Sequence, residues 1–234
     1  MKKYLTKTHY REFSAGSTAL CPNTYDIEEL VRKDEPLWTW KYRVFKNLVD
    51  YGCSIISLPL IALIALVLFV LNPWLNPGPV FFRQTRAGKF GQPFRMWKFR
   101  TMLPADAEAR DPNAALEVDR ITRLGRVLRK SRIDEIPNMI NVLRGEMSIV
   151  GPRPDAANHV DYYSQNVFGY AKRHRVKPGI TGLAQVEQGY VEDEEATVVK
   201  AKYDNLYVER SCGRLDVYII MKTFRVMVGG FGAK

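Results

Sequence analysis

Two adjacent carboxylates, Asp134 and Glu135, stand between clusters of basic residues in the stretch 129–154. Arg129, Lys130 and Arg132 precede them; Arg144 and Arg153 follow. A carboxylate pair can supply a nucleophile, an acid–base group or a metal ligand. Arginine suits phosphate oxygens because its planar fork donates two parallel hydrogen bonds. Together these residue types point to chemistry on a phosphorylated substrate. The same mixture of charges also suits a solvated helix whose acids and bases pair with each other.

The elements that must position these groups can be read from their surroundings. Pro137 disfavours helix at Ile136 and suits the first turn of a new helix. That helix carries Met139, Ile140, Val142 and Leu143 and ends near Gly145. The dyad then sits at a helix N-terminus, where free amides and the dipole keep carboxylates ionised, the form in which an aspartate attacks. Residues 148–154 read as a short strand entering a turn in which Pro152 and Pro154 fix the backbone around Arg153. Residues 80–82 and 94–100 read as strands joined around Gly88 and Gly91, with Lys98 and Arg100 on one face.

Further helices are expected over 104–110, 159–175, 197–207 and 215–228, and a glycine-rich turn over 177–182. In the 159–175 helix, Tyr162, Tyr163, Phe168 and Tyr170 are expected to face inward. A helix over 122–130 turns Leu124, Val127 and Leu128 inward and Arg123, Arg126, Arg129 and Lys130 outward, a pattern that can rest on anionic lipid headgroups.

One segment is of membrane grade. No charged residue occurs between Asp50 and Arg83, and the apolar heart runs from Ile55 to Leu71. Both flanks are basic: Lys41, Arg43 and Lys46 before, Arg83, Arg86 and Lys89 after. The positive-inside rule therefore places both ends on the cytoplasmic side. Pro59 deletes a helix hydrogen bond inside the run, and the Ser57 hydroxyl can satisfy a group freed nearby. A helix that enters, breaks at Ser57 and Pro59 and returns accounts for both facts better than a simple span. Trp38, Trp40 and Tyr42 beside Lys41 and Arg43 suit an interfacial anchor, or packing onto the domain.

Composition sets outer limits. The 234 residues hold 35 Lys and Arg against 25 Asp and Glu, a net charge of +10, which favours an anionic partner. Three separated cysteines and three histidines offer no zinc or redox spacing. No nucleic-acid-binding motif occurs, and a nucleic-acid-binding protein would have no use for the charge-free segment. The architecture expected is α+β and mainly helical: a polar arm (1–40), a membrane helix-break-helix (41–76) and a cytosolic catalytic domain (77–234) with short strands and interfacial amphipathic helices.

Four motifs recur in a familiar order: Lys98-Phe99-Arg100-Thr101-Met102, Asp134-Glu135-Ile136-Pro137, Gly151-Pro152-Arg153-Pro154 and Lys177-Pro178-Gly179-Ile180-Thr181-Gly182. With the preceding apolar segment and its Ser57 and Pro59, the chain from Tyr42 onward resembles the bacterial sugar transferases, or monotopic phosphoglycosyl transferases. The resemblance implies an enzyme of the cytoplasmic face of the bacterial inner membrane. Such an enzyme moves a sugar phosphate from a nucleotide diphosphate sugar, by family habit a UDP-sugar, to polyprenol phosphate and releases the nucleoside monophosphate. It implies Asp134 as the nucleophile of a covalent phosphosugar intermediate and Glu135 as the residue associated with Mg2+. Lys98, Arg129 and Arg153 would hold phosphate, and the membrane helix would be re-entrant.

The sequence departs from the family pattern at Arg132, often serine, Asn138, often glutamine, and Leu183, often tryptophan. A short N-terminal arm implies a minimal-core enzyme, and the arm and C-terminal helix leave room for a homodimer. The competing reading is a non-catalytic membrane-surface scaffold of polysaccharide export. It gives the dyad no reason to lie among arginines.

Overall fold

A computed structural model describes residues 39–103, 118–188 and 194–228, all within one compact unit, residues 36–234. The helix expected over 104–110, and all but the last two residues of the expected arm, lie outside the described residues.

The unit is built on a 36-residue helix, α1 (Trp40–Leu75), started by Thr39, whose side chain accepts from the Tyr42 amide. Two features differ from the sequence reading. The helix continues through Ser57 and Pro59, which do not divide it into two elements. The Ser57 hydroxyl bonds the Ser54 carbonyl at 2.7 Å, within its own turn. The helix also runs through Pro73, where a proline would be expected to stop it, before Asn76 caps it. Among the described residues α1 is the one helix long and apolar enough to cross a membrane. Much of its surface is bare: Ile56, Phe69 and Trp74 are each at least 70 % exposed. Trp40 is exposed as an anchor would be, whereas Tyr42 is buried.

The opposite stripe of α1 meets the rest of the unit. Strands β1 (Phe81–Ala87) and β2 (Pro93–Phe99) form an antiparallel hairpin that pairs Phe81 with Phe99 and Arg86 with Phe94. Helix α2 (Arg123–Lys130) is capped by Thr122, and short helix α3 (Asn138–Leu143) follows the dyad. Ile61 and Leu68 of α1 pack on Phe99, Leu128, Ile136 and Ile140, which seats hairpin, α2 and α3 on the helix. Val127 is 62 % exposed, not buried, because the inward stripe of α2 is used by Leu124 and Leu128 alone.

Strand β3 (Ser148–Val150) pairs in parallel with β4 (Gly179–Thr181), matching Ser148 to Gly179 and Val150 to Thr181. The glycine-rich stretch expected as a turn is thus partly a strand. Its glycines allow the close approach, for a Cβ on Gly179 would lie 2.1 Å from the Gly151 nitrogen. The expected 159–175 helix is broken into α4 (Val160–Asn166) and a 3-10 segment (Tyr170–Arg175). Val167, in an extended conformation, ends α4, and Gly169, at φ +76°, turns the chain into the 3-10 segment. Tyr170 is buried as expected, but Tyr162 and Phe168 are exposed. Short α5 (Leu183–Glu187), α6 (Glu194–Arg210) and α7 (Gly213–Val228) close the unit. On α7, Leu215 and Ile219 are buried while Val217, Met221 and Phe224 are exposed.

Candidate active site

The dyad occupies a 3-10 turn (Ile133–Glu135) between α2 and α3. Arg132 at φ +59° turns the chain into it, a conformation unusual for a residue with a side chain. Pro137 precedes α3, so the dyad lies just before a helix of only six residues. Asp134 is buried and Glu135 nearly so.

Three separate elements converge on Glu135. Lys98, from the end of β2, places Nζ 3.0 Å from Oε1. Arg153, from the turn after β3, donates from Nη1 to Oε2 at 3.1 Å and from Nη2 to Oε1. The Asp134 carboxylate has no hydrogen bond or ion pair among the described residues. The sequence-derived residues Lys98, Asp134, Glu135 and Arg153 therefore form one cluster. Arg129, half-buried on α2, acts on Asp134 through its charge. Arg100 does not join them; its side chain packs against Gly78. Ser57 and Pro59 belong to α1, where the Ser57 hydroxyl bonds the Ser54 carbonyl.

The two carboxylates are electrically unlike. Burial raises the Asp134 pKa and the neighbouring Glu135 charge raises it further, against the pull of Lys98, Arg129 and Arg153. Burial also opposes ionisation of Glu135, but Arg153 and Lys98 outweigh it and hold Glu135 well below the usual range. The helix-terminus expectation thus describes the ionised Glu135. For Asp134, desolvation and a like charge win over a dipole that six residues make weak.

Supporting groups that the sequence reading missed lie behind Arg153. Arg173 donates to the Arg153 carbonyl at 2.5 Å and pairs with Asp155 and, at 2.9 Å, with Asp204. Lys200 and Tyr170 each reach Asp155 at 2.5 Å. Arg86 donates to the Pro154 carbonyl, and burial pulls its own pKa down to about 10. Arg173 lies in a basic run with Lys172 and Arg175, and residue type alone gives no sign of its burial. Asn141, fully buried on α3, accepts from the Trp97 amide at 2.9 Å and donates to the Arg95 carbonyl at 2.8 Å. It pins β2 and so aims Lys98.

No group of three or more His, Cys, Asp and Glu converges among the described residues, so no all-protein metal cage is formed by them. A divalent cation held by one or two carboxylates plus substrate phosphate needs less. Glu135 Oε2 accepts a single hydrogen bond among those described and keeps an acceptor direction free, and Asp134 is unengaged. The dyad therefore fits a magnesium ion of that kind.

A membrane-type helix thus packs against the same unit that holds a buried carboxylate dyad with paired cations. The chain belongs to the bacterial sugar transferase family, whose model matches residues 41–230. It is 41 % identical over 194 residues to UDP-N-acetylgalactosamine-undecaprenyl-phosphate N-acetylgalactosaminephosphotransferase of Aeromonas hydrophila; the match covers 82 % of this chain and 46 % of the relative. It is also 41 % identical over 182 residues to UDP-glucose:undecaprenyl-phosphate glucose-1-phosphate transferase of Klebsiella pneumoniae, covering 77 % and 39 % respectively. A protein of the same name from Caulobacter vibrioides is 39 % identical over 180 residues, covering 76 % of this chain and 67 % of the relative. The chain thus spans less than half the length of the first two.

Proposed function

We propose that this chain is a phosphoglycosyl transferase that moves a sugar-1-phosphate from a UDP-sugar to undecaprenyl phosphate at the cytoplasmic face of the inner membrane. The observation that carries the reading is the contrast within the dyad. Glu135 holds Lys98 and Arg153 in place, and Asp134 beside it is left unengaged.

In the first step an Asp134 oxygen attacks the phosphorus that bears the sugar. The bond from that phosphorus to the oxygen of the nucleoside monophosphate breaks, and UMP leaves with the electron pair. In the second step an oxygen of undecaprenyl phosphate attacks the same phosphorus, and the Asp134 carboxylate is restored. The product is an undecaprenyl diphosphate sugar. Lys98, Arg129 and Arg153 neutralise phosphoryl oxygens that would otherwise repel a carboxylate. Glu135, with Asp134 beside it, would hold Mg2+, which supplies further neutralisation of phosphate charge. A covalent intermediate lets the soluble nucleotide leave before the lipid phosphate uses the same site.

The anchor is monotopic in this reading, with residues 41–76 as the membrane element and 77–234 as the catalytic domain. Lys46, near the start of α1, bonds the Val150 carbonyl at 2.9 Å and Asp216 at 2.8 Å. Asn76, at its end, donates to the Arg100 carbonyl at 2.9 Å and accepts from Thr122 at 3.1 Å. Both ends thus bond the same unit, whereas a simple span separates its ends by about 30 Å of hydrocarbon. Loss of the amide donor at Pro59 is the feature that favours a bend there. The exposed arginines of α2 face anionic headgroups in this arrangement.

Intact-protein mass spectrometry after incubation with Mg2+ and a panel of UDP-sugars, without undecaprenyl phosphate, tests the chemistry. The expected result is a mass gain of one sugar phosphate that Asp134→Asn does not acquire. Turnover by Asp134→Asn would reject Asp134 as nucleophile. Membrane binding with neither adduct nor turnover would favour the scaffold reading.

A further inference from the structure

We infer that Arg83, Arg144 and Lys177 form a second phosphate site, apart from the dyad, that grips the headgroup of an anionic phospholipid at the edge of the membrane anchor. This inference rests on α1 as the membrane element and not on the transfer chemistry.

The site is built around Trp97. The Arg83 guanidinium lies 4.7 Å from the indole centroid and that of Arg144 lies 5.6 Å from it. Two like charges on one ring repel each other, and the ring quadrupole compensates only in part. Neither arginine has an ion pair among the described residues, and both are exposed. Lys177 approaches from the loop before β4. Its Nζ would lie 3.6 Å from a Cβ on Gly145, the residue next to Arg144, and the Tyr51 hydroxyl would lie 3.9 Å from the same point. Lys177 is half-buried and it too has no ion pair among the described residues. The nearby acid, Glu146, is engaged by Asn141 at 2.7 Å. The Trp97 Nε1–H is covered and has no acceptor among the described residues. Arg83 and Arg144 therefore share the Trp97 ring, Lys177 stands beside the residue that follows Arg144, and none of the three cations has an ion pair among the described residues.

Depth identifies the anion's carrier. One face of the hairpin starts with the pair Phe81 and Phe99, which stack on each other and pack on Ile61 and Leu68 of the apolar helix. Two residues along, the same face presents the pair Arg83 and Trp97. Two strand residues advance about 7 Å. The order from apolar rings to indole and guanidinium is the order of a bilayer from hydrocarbon to headgroups. The helix side agrees. Tyr51 precedes the apolar heart of α1 by about one turn, and α3 follows α1 outward, from Met139 beside Ser54 to Gly145 beside Tyr51. A free metabolite phosphate has no reason to be sought at this depth, whereas a lipid phosphate resides there.

The test uses the full chain in nanodiscs of phosphatidylcholine with trace spin-labelled phosphatidylglycerol or spin-labelled phosphatidylcholine. Electron paramagnetic resonance reads the motionally restricted fraction of each. We expect preferential restriction of phosphatidylglycerol, reduced by about fivefold for each cation removed, and abolished in the R83Q/R144Q/K177Q variant. Single variants Arg144→Gln and Lys177→Gln give the same reading at smaller amplitude if the triple variant does not fold. Equal restriction of the two lipids by the wild type, or an unchanged preference in folded variants, would overturn the site. Displacement of the labelled lipid by excess inorganic phosphate would make it a free-anion site instead. Failure of the protein to enter nanodiscs at all would overturn the anchor reading on which the site depends.

Discussion

Arg153 meets Glu135 as a fork: Nη1 donates to Oε2 at 3.1 Å while Nη2 donates to Oε1, the oxygen that also receives Lys98. Glu135 is thus the counter-ion that keeps two cations together beside Asp134. Glu135→Gln leaves Lys98 and Arg153 buried without it. Breaking a buried pair from one side costs about 3 kcal/mol. A urea melt should report a loss of that order, and adduct formation should fall with it. Unchanged stability would mean that the cations are not held by Glu135.

Acid dependence follows from the two carboxylates. An attacking Asp134 must be ionised, and burial with the Glu135 charge raises its pKa. The rate of adduct formation should therefore fall on acidification above the ordinary aspartate range, while Glu135, held low by Arg153 and Lys98 against burial, stays charged. Arg129 is among the groups that pull the Asp134 pKa down, so Arg129→Gln should move the acid limb to higher pH. Glu135→Gln removes a like charge and should move it to lower pH. Single-turnover rates against pH check both signs, and shifts in the same direction for both variants would reject Asp134 as the titrating group.

The positions that cluster around Glu135 were legible because motifs are local. Asp134, Glu135 and Arg153 stand out by type and neighbourhood, Lys98 was singled out only through the family resemblance, and the hairpin follows from Gly88 and Gly91 between two apolar runs. What sequence reasoning missed is set by burial and partners. Arg173 looks like its exposed neighbours Lys172 and Arg175 until tertiary packing encloses it against Asp155 and Asp204. The strand at Gly179–Thr181 escaped because its partner, Ser148–Val150, lies about thirty residues away. Periodicity over a few residues cannot register such a pairing.

The enclosed arginine gives a stability prediction. Arg173 is 1 % exposed and joins Asp155, Asp204 and the Arg153 carbonyl. Arg173→Met keeps much of the volume but leaves two buried carboxylates with only Lys200 between them. Loss of about 3 to 5 kcal/mol is expected. The Arg153 turn also loses a support, so any folded fraction should form adduct more slowly. A melting temperature within a degree of the wild type would show that the network does not stabilise the unit.

Gly151 links the small parallel sheet to the catalytic turn. It follows β3 directly and precedes Pro152 and Arg153. A Cβ there would lie 2.6 Å from the Lys177 carbonyl oxygen and 2.9 Å from the Gly179 nitrogen, both backbone atoms that cannot swing aside. Gly151→Ala must therefore push β3 from β4 or displace the turn. Overpacking of this kind costs about 1 to 3 kcal/mol. Because the turn carries Arg153, the variant should lose adduct formation by a larger factor than the loss of folded protein explains. Gly91 provides the comparison. It has nothing within 4 Å of its Cβ position, but at φ +75° its alanine variant is strained by conformation alone. Gly91→Ala should lower stability with adduct formation per folded molecule unchanged. If both glycine variants reduced the rate in proportion to stability, β3 would not be the element that sets Arg153 against Glu135.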